Sequence, residues 1–163
     1  MIETIRQWWR YLLSKRSEVA QMDYKDAYMA KVVLDIHRKR REKRLTEVPL
    51  AQLAPIHRID RESALRTTHE RAEALRAHRE ALRTAGVLDS DTLQAIIPSV
   101  SAIKVVRDGE RWLAFEGNGR LYAMREVFAP EDGMRVEVEE YLFDDARSVR
   151  RRLNRVRRLN RLD

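Results

Sequence analysis

The stretch Glu116-Gly117-Asn118-Gly119-Arg120 holds the residue types and spacing best suited to chemistry. Two glycines two apart let a backbone come close to a ligand, and a helix opening there points its first N–H groups outward. With the helix dipole this makes an anion site, and Arg120 adds a planar donor fork suited to phosphate. An acidic residue, Glu116, stands just before the first glycine. The plainer readings are a turn made by glycine and a carboxylate stabilised by the helix dipole. Spacing alone does not choose between them.

A second concentration of chemistry is the run Arg147, Arg150, Arg151, Arg152, Arg155, Arg157 and Arg158, interleaved with Val149, Leu153, Val156 and Leu159 on one helical face. Eight arginines and one aspartate between Ala146 and Asp163 carry the whole formal charge of +7, so the remaining chain is balanced. An arginine-rich helix suits the phosphate backbone of a nucleic acid. The alternative is a docked helix whose arginines pair with acids such as Glu137, Glu139 and Glu140. The four histidines, His37, His57, His69 and His78, are scattered, with no i, i+4 ligand pair, and no cysteine is present. No metal site is expected.

The elements that must position these residues follow from pattern. Ile103, Val105 and Val106 make a strand, Asp108-Gly109 a tight hairpin turn, and Trp112 to Phe115 the return strand. The helix after Arg120 shows Leu121, Met124, Val127 and Phe128 at helical spacing, with Pro130 and Gly133 closing it. Val136 and Val138, alternating with Glu137 and Glu139, open a last strand. Asp144 or Asp145 starts the arginine helix.

Upstream, residues 46–55 hold two prolines and alternating Val48, Leu50 and Leu53, and form an edge strand leading into a loop at a domain boundary. Asp60 caps a helix from Arg61 to about Ala85, with a narrow stripe of Leu65, Ala72, Leu75 and Leu82 and a C′ glycine at Gly86. That stripe suggests one-sided contact, as in a helical hairpin with a helix over residues 18–44, whose end carries six Lys/Arg from Arg38 to Arg44. Asp89 or Ser90 starts a short helix that Pro98 stops. Residues 2–16 are amphipathic and basic, with Trp8 and Trp9. They fit docking on the domain, on a second copy or on a partner protein better than peripheral membrane contact. Apolar content is 44% and charged content 36%, no apolar run reaches transmembrane length, and the N-terminus shows no signal-peptide pattern. A cytoplasmic protein is expected.

The segment Glu116 to Ala123 resembles the signature of the ParB/sulfiredoxin superfamily, a strand followed by an acidic or small residue, Gly, a variable residue, His or Arg, and Arg opening a helix. Gly119 stands where many members carry His or Arg. Val48 to Pro55 looks like the opening strand and turn of that superfamily, and Ile97-Pro98 like its step into the sheet. The resemblance covers about residues 46–143. It implies an α+β domain: a small mixed β-sheet with packed helices and a helical insert at 60–96. Long N-terminal helices (1–45) precede this domain and a basic C-terminal helix (144–163) follows it. It also implies a nucleotide, with magnesium, whose phosphates are lined by Gly117, Asn118 and Gly119 and paired with Arg120. Glu116 would be the catalytic candidate. Sulfiredoxin-type chemistry is excluded, because it needs a cysteine. The favoured expectation is a nucleotide- or phosphate-binding switch module with a tail that contacts nucleic acid or a partner. The alternatives are a nucleic-acid-binding or scaffold protein with a structural turn, and a phosphotransferase or nucleotide hydrolase.

Overall fold

A computed structural model describes residues 24–98 and 101–162. The expected amphipathic helix over 2–16 and the start of the next helix, 17–23, lie outside the described residues.

One mixed sheet organises the chain. Its strands are β1 (Glu42–Pro49), β2 (Leu53–Pro55), β3 (Val87–Leu88), β4 (Ile103–Asp108), β5 (Arg111–Glu116) and β6 (Arg135–Leu142), in the order β1-β6-β4-β5-β2, with β3 also beside β6. β4 and β5 form the expected hairpin, Asp108 facing Arg111 across Gly109 at φ +66°. β6 lies antiparallel to β1 and parallel to β3 and β4, and β2 lies parallel to β5. The alternation read at Val136 and Val138 is real: both are fully buried.

Helices cover both faces of this sheet. α1 (Tyr24–Lys39) and α6 (Ala146–Leu159) pack together on one side, over Val106, Leu113, Phe115 and Tyr141. On the other side lie α2 (Glu62–Ala77), α3 (Arg79–Ala85), α4 (Ser90–Ile96) and α5 (Asn118–Val127), over Leu53, Ile103, Val105, Val136 and Val138. The described residues thus form an α+β structure with six helices and a six-stranded mixed sheet.

Three expectations need correction. The basic run after Ile36 does not continue as helix to Arg44: α1 ends at Lys39, and Arg41 N already donates to Leu142 O at 2.8 Å. Lys43 and Arg44 stand opposite acidic β6, pairing with Glu139 at 3.6 Å and Glu140 at 2.9 Å. Cross-strand charge complementarity outweighs helical propensity there. The helix expected over 61–85 breaks at His78, where ψ moves to 10°, and Gly86 closes the second piece at φ +75°. Finally, α2 packs against α5, not in a hairpin with α1. Ala72 and Leu75, two of its buried residues, share one apolar cluster with Leu121, Ala123 and Met124 of α5.

Candidate functional site

The turn from β5 into α5 is tightly built. Gly117 sits at φ +92°, and a Cβ there would lie 2.8 Å from Ile103 Cγ1. Both conditions demand glycine. Asn118 is buried with both ends of its amide in use: Oδ1 accepts from Ile56 N at 2.8 Å and Nδ2 donates to Ala114 O at 2.7 Å. It therefore fastens the chain leaving β2 to β5. Gly119 has an ordinary φ but a close neighbour, since a Cβ on it would stand 3.0 Å from Arg71 Nη1 and 3.6 Å from Thr68 Oγ1. α2 thus lies directly over the start of α5. Among the described residues no side chain caps that helix.

Arg120 is 8% exposed and donates from Nη1 to Ser101 O at 2.5 Å. Burial pushes its guanidinium pKa down, the charge of Arg71 pushes it further the same way, and Glu116 opposes both. Two guanidinium groups from different helices therefore feel each other at the N-terminus of α5. Among the described residues no hydrogen bond or ion pair holds Arg71.

Glu116 is held from two sides. Its Oε1 lies 2.5 Å from His37 Nε2 and its Oε2 accepts from Lys104 Nζ at 2.5 Å. Burial alone would raise its pKa. The hydrogen bonds and charges of Lys104 and His37 outweigh that and leave it below the usual carboxylate value. Behind it, His37 Nδ1 lies 3.3 Å from the Tyr141 hydroxyl, which accepts from Arg40 Nη1 at 3.0 Å. A carboxylate held below its usual pKa, with both oxygens engaged by a lysine and a histidine, is a weak base and a poor magnesium ligand. Among the described residues no cluster of three or more His, Asp or Glu could hold a metal ion.

Comparison with protein-family models, with curated proteins and with solved structures gives no match.

The arginines of α6 fall into two sets. Arg152 pairs with Asp35 of α1 at 2.7 Å, and Arg150 lies 3.8 Å from Asp108. Arg157, 5% exposed, donates to Pro55 O and, at 3.2 Å, to Leu162 O. Arg147, Arg151, Arg155 and Arg158 are exposed. Among the described residues Arg155 is steadied by neutral groups, the Tyr24 hydroxyl at 3.2 Å and the ring of Tyr28 at 4.8 Å. Within the described residues no helix is long and apolar enough to cross a membrane.

Reading from the sequence missed Arg71, His37, Lys104 and Arg40. A signal existed for Arg71: it lies three residues after Thr68 and one before Ala72, on the flank of the buried stripe. A side chain at that position reaches whatever the stripe packs on. Nothing comparable marked His37, which meets Glu116 from 79 residues away.

Proposed function

We propose that this chain is a phosphate-binding module of the ParB/sulfiredoxin-like type, which holds the phosphates of a nucleotide at the N-terminus of α5. The observation that carries the reading is the convergence of Arg71 and Arg120 there. Placing two cations together at the positive end of a helix is unfavourable, and a phosphate between them relieves the repulsion. Gly119 leaves the room for this, and the backbone of the turn supplies further donors.

Binding without turnover is favoured over a phosphotransferase or hydrolase. Glu116, the candidate base, already has both oxygens engaged by His37 and Lys104. For the same reason the residues at this turn do not fit a protein-held magnesium. An ion arriving with the nucleotide would be held by phosphates and water.

Calorimetric titration with CTP, ATP and GTP, with and without magnesium, tests the reading. Saturable binding that Arg71→Gln weakens by about tenfold or more, with unchanged thermal stability, is the expected result. Because Arg120 is buried, Arg120→Lys serves as its partner variant, keeping charge but losing the fork. Absence of binding to all three nucleotides refutes the proposal. The competing account is a purely structural turn, for which the doubly bonded Asn118 is the specific observation.

A further inference from the structure

We infer that the solvent face of α6 is a docking rail for the phosphate backbone of a nucleic-acid duplex, made by Arg147, Arg151 and Arg158 with Arg155 beside them. At about 100° per residue, Arg147, Arg151 and Arg158 fall within a narrow arc opposite the buried stripe of Val149, Leu153 and Val156. From Arg147 to Arg158 the rail runs about 16 Å, the length of about five base-pair rises along the duplex axis. Its foundation is firm, for the buried stripe, the Arg152–Asp35 pair and the Arg157 bonds fix α6 to the body.

What singles this face out is that the acids able to neutralise it are engaged elsewhere. Glu139 and Glu140 face Lys43 and Arg44 on β1, and Glu137 accepts from Ser90 N at 3.2 Å. Beside the first turn, Asp144 pairs with Arg41 at 3.3 Å and Asp145 caps Ser148 N at 3.1 Å. Asp108 and Asp35 meet the flanking arginines, not the rail. Four exposed guanidinium groups are thus left without a counter-charge among the described residues. On α6 itself the apolar residues point inward or lie half-covered, so the helix offers no exposed apolar side chain to insert into lipid. Planar guanidinium forks spaced along a rigid helix match a regular phosphate array better than a mobile acidic peptide.

The inference is independent of the nucleotide site, since α6 and α5 lie on opposite faces of the sheet. The test is fluorescence anisotropy of the full chain with a mixed-sequence duplex of about 30 bp, titrated at several salt concentrations. Four phosphate contacts predict a slope of log K on log salt of about −3 to −4, and an affinity loss of about 100-fold between 50 and 200 mM. The variant Arg147→Gln/Arg151→Gln/Arg158→Gln should keep its fold, flatten the slope to about −1 and reduce that salt effect to a few-fold. Arg71→Gln should leave duplex binding untouched. No duplex binding, an unchanged slope in the triple variant, or capture by phosphatidylserine vesicles with no affinity for duplex would each overturn the inference.

Discussion

Alanine at the two glycines of the β5–α5 turn should have opposite consequences. At Gly117 the added Cβ meets Ile103 Cγ1 at 2.8 Å and Ile103 Cα at 3.3 Å, and the residue must keep φ at +92°. The left-handed conformation costs about 1–2 kcal/mol for a residue with a side chain. Overpacking against a buried strand costs about 1–3 kcal/mol more. Gly117→Ala should therefore destabilise by about 2–5 kcal/mol, and the melting temperature should fall by about 5–15 °C for a domain of this size. At Gly119 the added Cβ meets the far end of Arg71, a side chain that can swing away. Helix propensity then gains about 0.5–1 kcal/mol, so Gly119→Ala should move the melting temperature by less than about 3 °C. Its cost falls on anion binding, which should weaken about tenfold as Arg71 is displaced. Thermal unfolding followed by circular dichroism, with nucleotide titration of each variant, checks both halves. If Gly117→Ala melted within about 1 °C of the parent, or if Gly119→Ala proved as damaging as Gly117→Ala, the reasoning about this turn would fail.

Other outcomes follow from the same contacts. Glu116 has its pKa held below the ordinary carboxylate value in the folded chain, so its contribution is complete above that ordinary value and lost as pH falls through the lower folded one. The gap in urea midpoint between the parent and Glu116→Gln should accordingly be widest near pH 6 and close on acidification below about 4.5; a constant gap would sink the assignment. Arg157→Ala strips a buried carbonyl at Pro55 of its charged donor and should cost about 2–4 kcal/mol, whereas Arg151→Ala should stay within about 0.5 kcal/mol. Equal effects in denaturant titrations would mean that the arginines of α6 are wrongly sorted. Arg58 donates to Asn160 O at 2.9 Å and Arg161 O at 2.6 Å, closing the C-terminal end of α6. Arg58→Ala should lower stability by about 1–2 kcal/mol and raise amide exchange in the last turn of that helix, and protection unchanged there would contradict the capping role.

Local signals were readable where local physics decides. Asp108-Gly109 specified its hairpin, Gly86 closed its helix in the left-handed conformation, and Asp89 and Asp145 cap their helices through Thr92 N and Ser148 N. What pattern could not show was pairing between distant segments. The strand starting at Glu42 looked like a helix end because its lysine and arginine have good helical propensity. Its acidic complement, Val-Glu-Val-Glu-Glu, lies more than 90 residues further on. The arginines of α6 were legible as a group and separable in principle: Arg150, Arg152 and Arg157 flank the stripe of Val149, Leu153 and Val156, while Arg147, Arg151 and Arg158 oppose it. The candidate site was half legible. The turn and Arg120 came from its residues, but Arg71 and the His37–Glu116–Lys104 cluster exist only once α1, α2 and β4 are brought to one end of the sheet.

The strand order also sets a timetable for synthesis. β6 is the common neighbour of β1, β3 and β4, yet among the described strands it is made last. Until the ribosome has passed Leu142, only the β4–β5 hairpin and its partner β2 can assemble. β1, opposite Leu142 from Glu42, waits through 100 further residues, roughly 5–20 s at ordinary elongation rates. During that interval Lys43, Arg44 and Glu42 do more than complement β6: they keep an unpaired strand charged and soluble, which protects the nascent chain from joining a wrong edge.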